Sequence, residues 1–225
     1  MNGPLTRAGV SRRSFIKGTG SAAASLLLGF HVAPRARGVE AAPTAARLNA
    51  FLRVDPDNTI TLLMNHSEFG NGAYTSLTMM VAEELDAAWD AIALEEAPTR
   101  PEYYSPIFGE YLTAGSVTTG GSWLPMRTAG AQARAMFLEA AARSWGAETA
   151  ALSTRDSQVY WAQGGRQASY GELVAAIHSL DIQPPAQVAL KDPADFAILG
   201  KPRRRFEGRS KVDGSAVFGG ARFRF

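Results

Sequence analysis

Two short glycine-bearing segments are where this chain's backbone could do chemistry. They are Gly70-Asn71-Gly72 and Thr118-Thr119-Gly120-Gly121-Ser122, each read as a loop just ahead of a helix. Glycine takes up positive φ and lets a ligand approach the main chain, while the first turn of a helix offers unpaired N–H groups and a partial positive charge. That combination makes an anion site. The amides near Gly120, Gly121 and Ser122 could cradle a phosphate or diphosphate, with hydroxyls from Ser116, Thr118 and Thr119. Neither segment follows the G-x-x-x-x-G-K-[ST] or G-x-G-x-x-G phosphate pattern, and either one alone also suits plain turn chemistry. Cysteine is absent, which excludes disulfides, thiolate metal ligands and iron–sulfur clusters held by this chain. The three histidines, His31, His66 and His178, have no metal-ligand spacing, which argues against zinc. His66 reads as a hydrogen-bonded structural residue beside the first loop, and His178 as a surface or boundary residue of a helix.

The elements that must position these loops follow from the apolar pattern. Leu48 to Val54 and Thr59 to Met64 are strand-like, and Asp55-Pro56-Asp57-Asn58 between them has turn chemistry, so they form a hairpin. Tyr74, Leu77, Met80, Val81 and Leu85 follow the spacing of a helix that buries one face, and Ala91 to Glu96 is the next strand. The stretch from Ala97 to Ser122 has no periodicity and reads as a long loop. Ser122 is placed to cap the helix after it, Pro125 to sit in that helix's first turn, and Gly146 to end it. Ser153 to Trp161 and Gln167 to Tyr170 suggest a second hairpin about Gly164-Gly165. Ser169 and Glu172 then form a capping box that opens a helix to about Leu180. Trp123 and Trp145 bracket the Ala-rich helix as core or interface anchors. From Pro184 the chain reads as a connector, with Arg203-Arg204-Arg205 as a solvated run or a contact to an acidic partner. The fold class is α+β, with mixed sheets and packed helices.

Length and composition set the frame. With 225 residues, 46% of them apolar, the chain can bury one good core. Its 23 basic and 21 acidic side chains leave a net charge of +2, with the basic excess toward the two ends, which argues against a nucleic-acid surface. Ser11-Arg12-Arg13-Ser14-Phe15-Ile16-Lys17 followed by the weakly apolar Gly18 to Phe30 reads as a twin-arginine export signal. The apolar run is about 13 residues against the roughly 20 that a membrane span needs, so no stable membrane span is read there. Val39-Glu40-Ala41 is a candidate cleavage site. The organisation expected is therefore a signal over 1–41, an α+β domain over 42–183 and a connector over 184–225. The expected destination is the periplasm. Because the twin-arginine route accepts folded chains, it suits proteins loaded with a cofactor before export.

The run His66-Ser67-Glu68-Phe69-Gly70-Asn71-Gly72-Ala73-Tyr74-Thr75, continuing through Val81-Ala82-Glu83-Glu84-Leu85-Asp86, resembles the E-M-G-Q-G-x-x-T…A-E-E-L-D segment of molybdenum hydroxylase large subunits. Thr119-Gly120-Gly121-Ser122 leading into Ala129-Gly130-Ala131 resembles a second element of that family. Asn49 to Val54, Leu190 to Phe196 and Ile198 to Pro202 resemble its isoquinoline 1-oxidoreductase β-subunit branch, and the similarity runs to about Phe218. The resemblance implies molybdopterin cytosine dinucleotide as cofactor. It also implies a separate small subunit carrying [2Fe-2S] clusters, and oxidation of an aldehyde or hydroxylation of an N-heterocycle. The implied cofactor-contacting residues are Phe69, Gly70, Asn71, Gly72, Thr75, Thr119, Gly120, Gly121 and Ser122. The family's metal-side Gln is Asn71 here, one methylene shorter but still an amide donor.

Two departures qualify the expectation. Large subunits of this branch are roughly three times this length, and the glutamate base of the family lies in the part absent here, so no residue of this chain is assigned as catalytic. The ending Gly220-Ala221-Arg222-Phe223-Arg224-Phe225 also departs from the family and reads as a frameshift. Three readings stand: an inactive N-terminal portion of a molybdopterin-binding subunit, an exported cofactor-binding or subunit-interaction module, and a non-functional remnant.

Overall fold

A computed structural model describes residues 26–29, 50–105 and 107–216. The arginine pair, the candidate cleavage site and the chain from 217 onward lie outside the described residues. A four-stranded sheet has the order β1 (Leu26–Gly29), β2 (Ala50–Val54), β3 (Ile60–Met64), β4 (Ile92–Glu96). The β2–β3 hairpin is antiparallel, with Leu52 opposite Leu62 and Val54 opposite Ile60. The Asp55 to Asn58 turn closes it as its residue types demand. Asp57 Oδ1 accepts from the Thr59 amide at 2.9 Å, and Asn58 takes φ 70°, a region Asn tolerates. The outer strand β1 falls within the apolar run read as part of the export signal, and it pairs antiparallel with β2.

Strand β4 runs parallel to β3, with Ile60 beside Ile92 and Met64 beside Glu96. Parallel neighbours need a crossover, and helix α1 (Ala73–Leu85) provides it. The ββαβ unit expected from the sequence is present. Leu52, Val54, Ile60, Leu62 and Met64 from the sheet and Leu77, Met80 and Leu85 from α1 form one apolar core with Met126, Phe137 and Ala140 of the long helix α2 (Val117–Trp145).

Helix α2 corrects the sequence reading at its start. Thr119, Gly120, Gly121 and Ser122 lie in its first two turns, not in a loop ahead of it, and Ser122 is not its cap. Pro125 stands well inside the helix rather than in its first turn. Intrinsic propensity disfavours a helix through two glycines, but Thr118 and Ser122 are buried there and Gly121 packs under Ile107, so tertiary contact decides the boundary. Its other end is as expected, with Gly146 at φ 69°.

The two helices run parallel. Ser76 Oγ lies 3.4 Å from Thr119 Oγ1 near their starts, a Cβ on Gly130 would stand 2.6 Å from the Val81 carbonyl further along, and Arg134 reaches Asp86 at the end of α1. Gly130 is what lets the backbones approach this closely.

The second sheet is an antiparallel meander, β5 (Ser153–Arg155), β6 (Gln158–Trp161), β7 (Arg166–Ser169), in place of the single hairpin expected. Ser153 to Trp161 is not one strand, because Asp156 and Ser157 both take positive φ, 50° and 61°, and reverse the chain. The buried Ser157 fastens this sheet to the end of α1. Its amide donates to the Asp86 carbonyl at 2.9 Å, and its hydroxyl accepts from the Ala88 amide at 2.8 Å. Helix α3 (Tyr170–Ser179) begins with the capping box read from the sequence. Tyr170 stacks on Phe137 at 4.2 Å and donates its hydroxyl to the Leu85 carbonyl at 2.6 Å.

Candidate functional site

The two candidate segments come together. Residues 65–72 leave the carboxyl end of β3 and lead into α1, and the start of α2 lies alongside. Crevices beyond the carboxyl ends of parallel strands are where α/β units commonly bind ligands. Residues 111–113, within the stretch from Ala97 to Ser122 read as a long loop, pack against the first segment. Tyr111 Oη donates to the Met64 carbonyl at 3.1 Å, and the Ser67 amide donates to Thr113 Oγ1 at 2.8 Å. His66 is buried, with Nδ1 2.9 Å from the Leu112 carbonyl and Nε2 3.4 Å from Ser122 Oγ. A carbonyl only accepts, so Nδ1 carries the proton and Nε2 faces Ser122 as an acceptor. Burial lowers the His66 pKa, partly opposed by the Leu112 carbonyl, which favours the protonated ring. The reading of His66 as a hydrogen-bonded structural histidine beside the site holds.

The first glycine loop is not an open anion cradle. Its amides are taken by a carboxylate of the chain itself: Glu68 Oε1 accepts from Gly70 N at 2.7 Å and Gly72 N at 3.1 Å, and Oε2 from Tyr74 N at 3.2 Å. Burial alone would raise the Glu68 pKa, but these backbone donors and the nearby Arg205 guanidinium outweigh it and hold the group below the usual carboxylate value. Glu68 thus occupies the positive end of α1. Thr75 is also engaged, its hydroxyl accepting from Phe206 N at 3.2 Å. Arg205, read as part of a solvated run, instead donates to the Gly70 carbonyl at 2.6 Å. Neighbouring Arg203 lies over the Trp89 ring at 5.3 Å.

The start of α2 is different. No side chain caps it, its first turn carries no acidic residue, and Ser116 enters it at φ 58°. Thr119 and Gly120 are exposed, and a Cβ on Gly120 would meet nothing within 4 Å. Asn71 is exposed, with Oδ1 accepting from Ala73 N at 3.4 Å. Phe69 is 70% exposed. Of the nine candidate residues, Phe69, Asn71, Thr119 and Gly120 are exposed, while Gly121 is part-buried under Ile107. Gly70, Gly72, Thr75 and Ser122 have their polar atoms engaged within the protein. Among the described residues no cluster of three or more His, Asp or Glu suited to a metal ion is present, and no helix is long and apolar enough to cross a membrane.

Sequence reasoning missed the partners that hold this region. Glu68 is an acidic residue just ahead of a Gly-rich helix start, and that spacing is a capping signal. Arg205 has no local signal at all. The Glu83-Glu84-Leu85-Asp86 stretch turns out to be an anchor: Glu83 accepts from the amides of Ala197 (3.1 Å), Ile198 (2.6 Å) and Leu199 (2.9 Å), and Glu84 pairs with Arg127 at 2.6 Å. Lys191 reaches Asp86 at 2.5 Å and Glu83 at 3.3 Å. Two stretches about 115 positions apart that both carry the family resemblance are thus one another's partners.

Comparison with known proteins identifies the family. Residues 8–217 match the model of the molybdopterin cofactor-binding domain. The chain is 31% identical to the isoquinoline 1-oxidoreductase subunit beta of Brevundimonas diminuta, over 93% of this chain and 31% of the relative. It is 28% identical to the membrane-bound aldehyde dehydrogenase [pyrroloquinoline-quinone] of Gluconacetobacter polyoxogenes, over 74% of this chain and 21% of the relative. Quinoline 2-oxidoreductase from Pseudomonas putida 86 aligns over 64% of this chain and 19% of its own, with 18% identity and a TM-score of 0.44. The chain therefore spans less than a third of the length of the curated relatives it matches. With a family model covering nearly all of it, this chain belongs to the molybdopterin cofactor-binding domain family.

Proposed function

We propose that the chain is the part of a molybdopterin-binding subunit that holds the cofactor's anionic groups at the start of α2. The enzyme is a periplasmic oxidoreductase that oxidises aldehydes or hydroxylates N-heterocycles. The observation that carries this is the uncapped first turn of α2, with Thr119 and Gly120 exposed there and Asn71 exposed on the neighbouring loop. Amides of a free helix start are donors with a partial positive charge, and they suit phosphate groups such as those of the cytosine dinucleotide form. When bound, the cofactor supplies two-electron redox chemistry at its metal. Thr119 and Ser76 present hydroxyls to the same opening, and the Asn71 amide serves as a short-reach donor that orients the group. The Gly70 and Gly72 amides take no part, since Glu68 holds them.

The resemblance implies a separate small subunit carrying [2Fe-2S] clusters, which would accept the electrons; this chain, without cysteine, would supply them no ligand. Turnover of substrate requires regions that the longer relatives have, so this chain alone binds cofactor without catalysis. The Arg12-Arg13 motif directs export of the folded, loaded protein by the twin-arginine machinery.

The decisive experiment is expression in a host that makes molybdenum cofactor, followed by metal analysis and fluorescence of the oxidised pterin. Bound molybdenum and pterin are expected, with a cytosine nucleotide released on hydrolysis. A folded chain holding neither would sink the reading. Retention of a fused reporter in the cytoplasm on changing Arg12 and Arg13 to Lys tests the export step, and unchanged export would refute it.

A further inference from the structure

The Phe69 to Gly72 loop has little packing to hold its shape. Phe69 is 70% exposed, Asn71 is exposed, and a Cβ on Gly70 would meet nothing within 4 Å. Gly70 stands at φ 111° and Gly72 at φ 78°, so the chain on both sides of Asn71 is conformationally permissive. Hydrogen bonding must do what packing does not. Glu68 fixes the amides of Gly70 and Gly72, which leaves the peptide unit joining Gly70 to Asn71 able to rotate unless its carbonyl is held. In a trans peptide the Gly70 carbonyl and the Asn71 amide point in opposite directions, so fixing one fixes the other.

We propose that Arg205 is a positioning residue: its grip on the Gly70 carbonyl sets the Gly70–Asn71 peptide plane and with it the orientation of Asn71. The inference rests on the reading of Asn71 as a cofactor-facing residue. Arg205 Nη2 lies 2.6 Å from the Gly70 carbonyl and 3.6 Å from Glu68 Oε1, so one guanidinium spans the carbonyl and the carboxylate that holds the amides. The arginine is itself held. Its Nε pairs with Glu207 at 3.2 Å, the next amide donates to Thr75, and the Phe206 ring rests against Trp89 at 4.8 Å. A Cβ on Gly72 would stand 3.3 Å from the same Nη2, so glycine there gives the guanidinium its room. A stretch far along the sequence thereby sets the geometry of the first loop.

Hydrogen exchange on the cofactor-free chain, read by NMR residue by residue, tests the clamp in Arg205→Met and Arg205→Lys. With Met, exchange at Gly70 and Gly72, whose amides Glu68 holds, is expected to rise about tenfold or more, the scale of one lost charge-assisted bond. Amides within α1 from Met80 to Leu85 should keep their rates, and Lys, which retains one charged donor, should restore part of the protection. Unchanged loop exchange in Arg205→Met overturns the proposal, and so does an equal rise along all of α1, which marks a general packing loss. In cofactor-loaded protein the Met variant should lose pterin more rapidly than the Lys variant. If the unaltered chain binds no pterin, the proposed function falls while the exchange result still decides the clamp.

Discussion

The two ends of the α1/α2 pair are built to opposite purposes from the same two helices. At the far end nearly every polar group is spoken for. Arg127, 7% exposed, meets Glu84, fully buried, and Asp86 draws in Lys191, Arg134 and Thr154. Tyr170 seals the end of α1 with its ring on Phe137. At the near end one helix start is filled by Glu68 and the other is left open, with exposed Phe69, Ile107 and Leu124 nearby. Folding alone would favour capping both starts. An uncapped start beside a loop held by a dedicated carboxylate and arginine is stability forgone, which suits the proposed ligand site.

The sharpest way to break the closed end is Arg127→Ala. It strips Glu84 of its buried partner while leaving the carboxylate in place, and stability is expected to fall by about 3–5 kcal/mol. Chemical denaturation measures it, and a loss below about 1 kcal/mol would show that the pair is not desolvated as the geometry requires. Next comes Gly130→Ala. A Cβ there would stand 2.6 Å from the Val81 carbonyl and 3.0 Å from Glu84 Cβ, so the helices must part, at an expected ~1–3 kcal/mol. A thermal melt with no shift would mean the helices can slide freely. The open end should respond with the opposite sign. Gly120→Ala meets no neighbour and gains helix propensity, so a rise of ~0.5–1 kcal/mol is expected, together with lower pterin occupancy as the methyl enters the opening. Stabilisation with undiminished pterin would remove Gly120 from the site.

The contrast also explains what the sequence revealed. The β2–β3 hairpin, the Ser169/Glu172 capping box and the Gly146 stop are local: each depends on residues within a few positions, and each stands as read. The start of α2 was not legible, because a run of Thr, Gly and Ser is helical here only through burial of Thr118 and Ser122 against other elements. The Asp156–Ser157 reversal was hidden because neither residue is a glycine, although both take positive φ. The family resemblance located the loop at Asn71 and the segment at Thr119, and the structure brings both to one end of the pair. It could not show that Glu68 already fills the first helix start, nor that Arg205, 135 positions beyond Gly70, completes the loop. Pairings across such distances leave no periodicity to detect.

The smallest expected effect is read by pH. His66 sits at the open end between the Leu112 carbonyl and Ser122, and its folded pKa lies below the ordinary 6.5 because burial penalises the imidazolium. Above 6.5 the ring is neutral whether the chain is folded or not, and its contribution is complete. As the pH falls below 6.5 the unfolded chain takes up a proton that the folded chain refuses, so stability declines until the lowered folded value is passed. Glu68 and Glu83 act in a separate, more acidic window, since both have folded values below 4.5: their contribution is full above 4.5 and is lost as the pH falls through those lowered values. Unfolding free energies measured from pH 8 to pH 5 should therefore show a shallow decline that His66→Gln abolishes, while Arg127→Ala lowers the whole curve without removing the decline. A decline that survives His66→Gln would assign the acid sensitivity to groups other than the histidine that links the two loops.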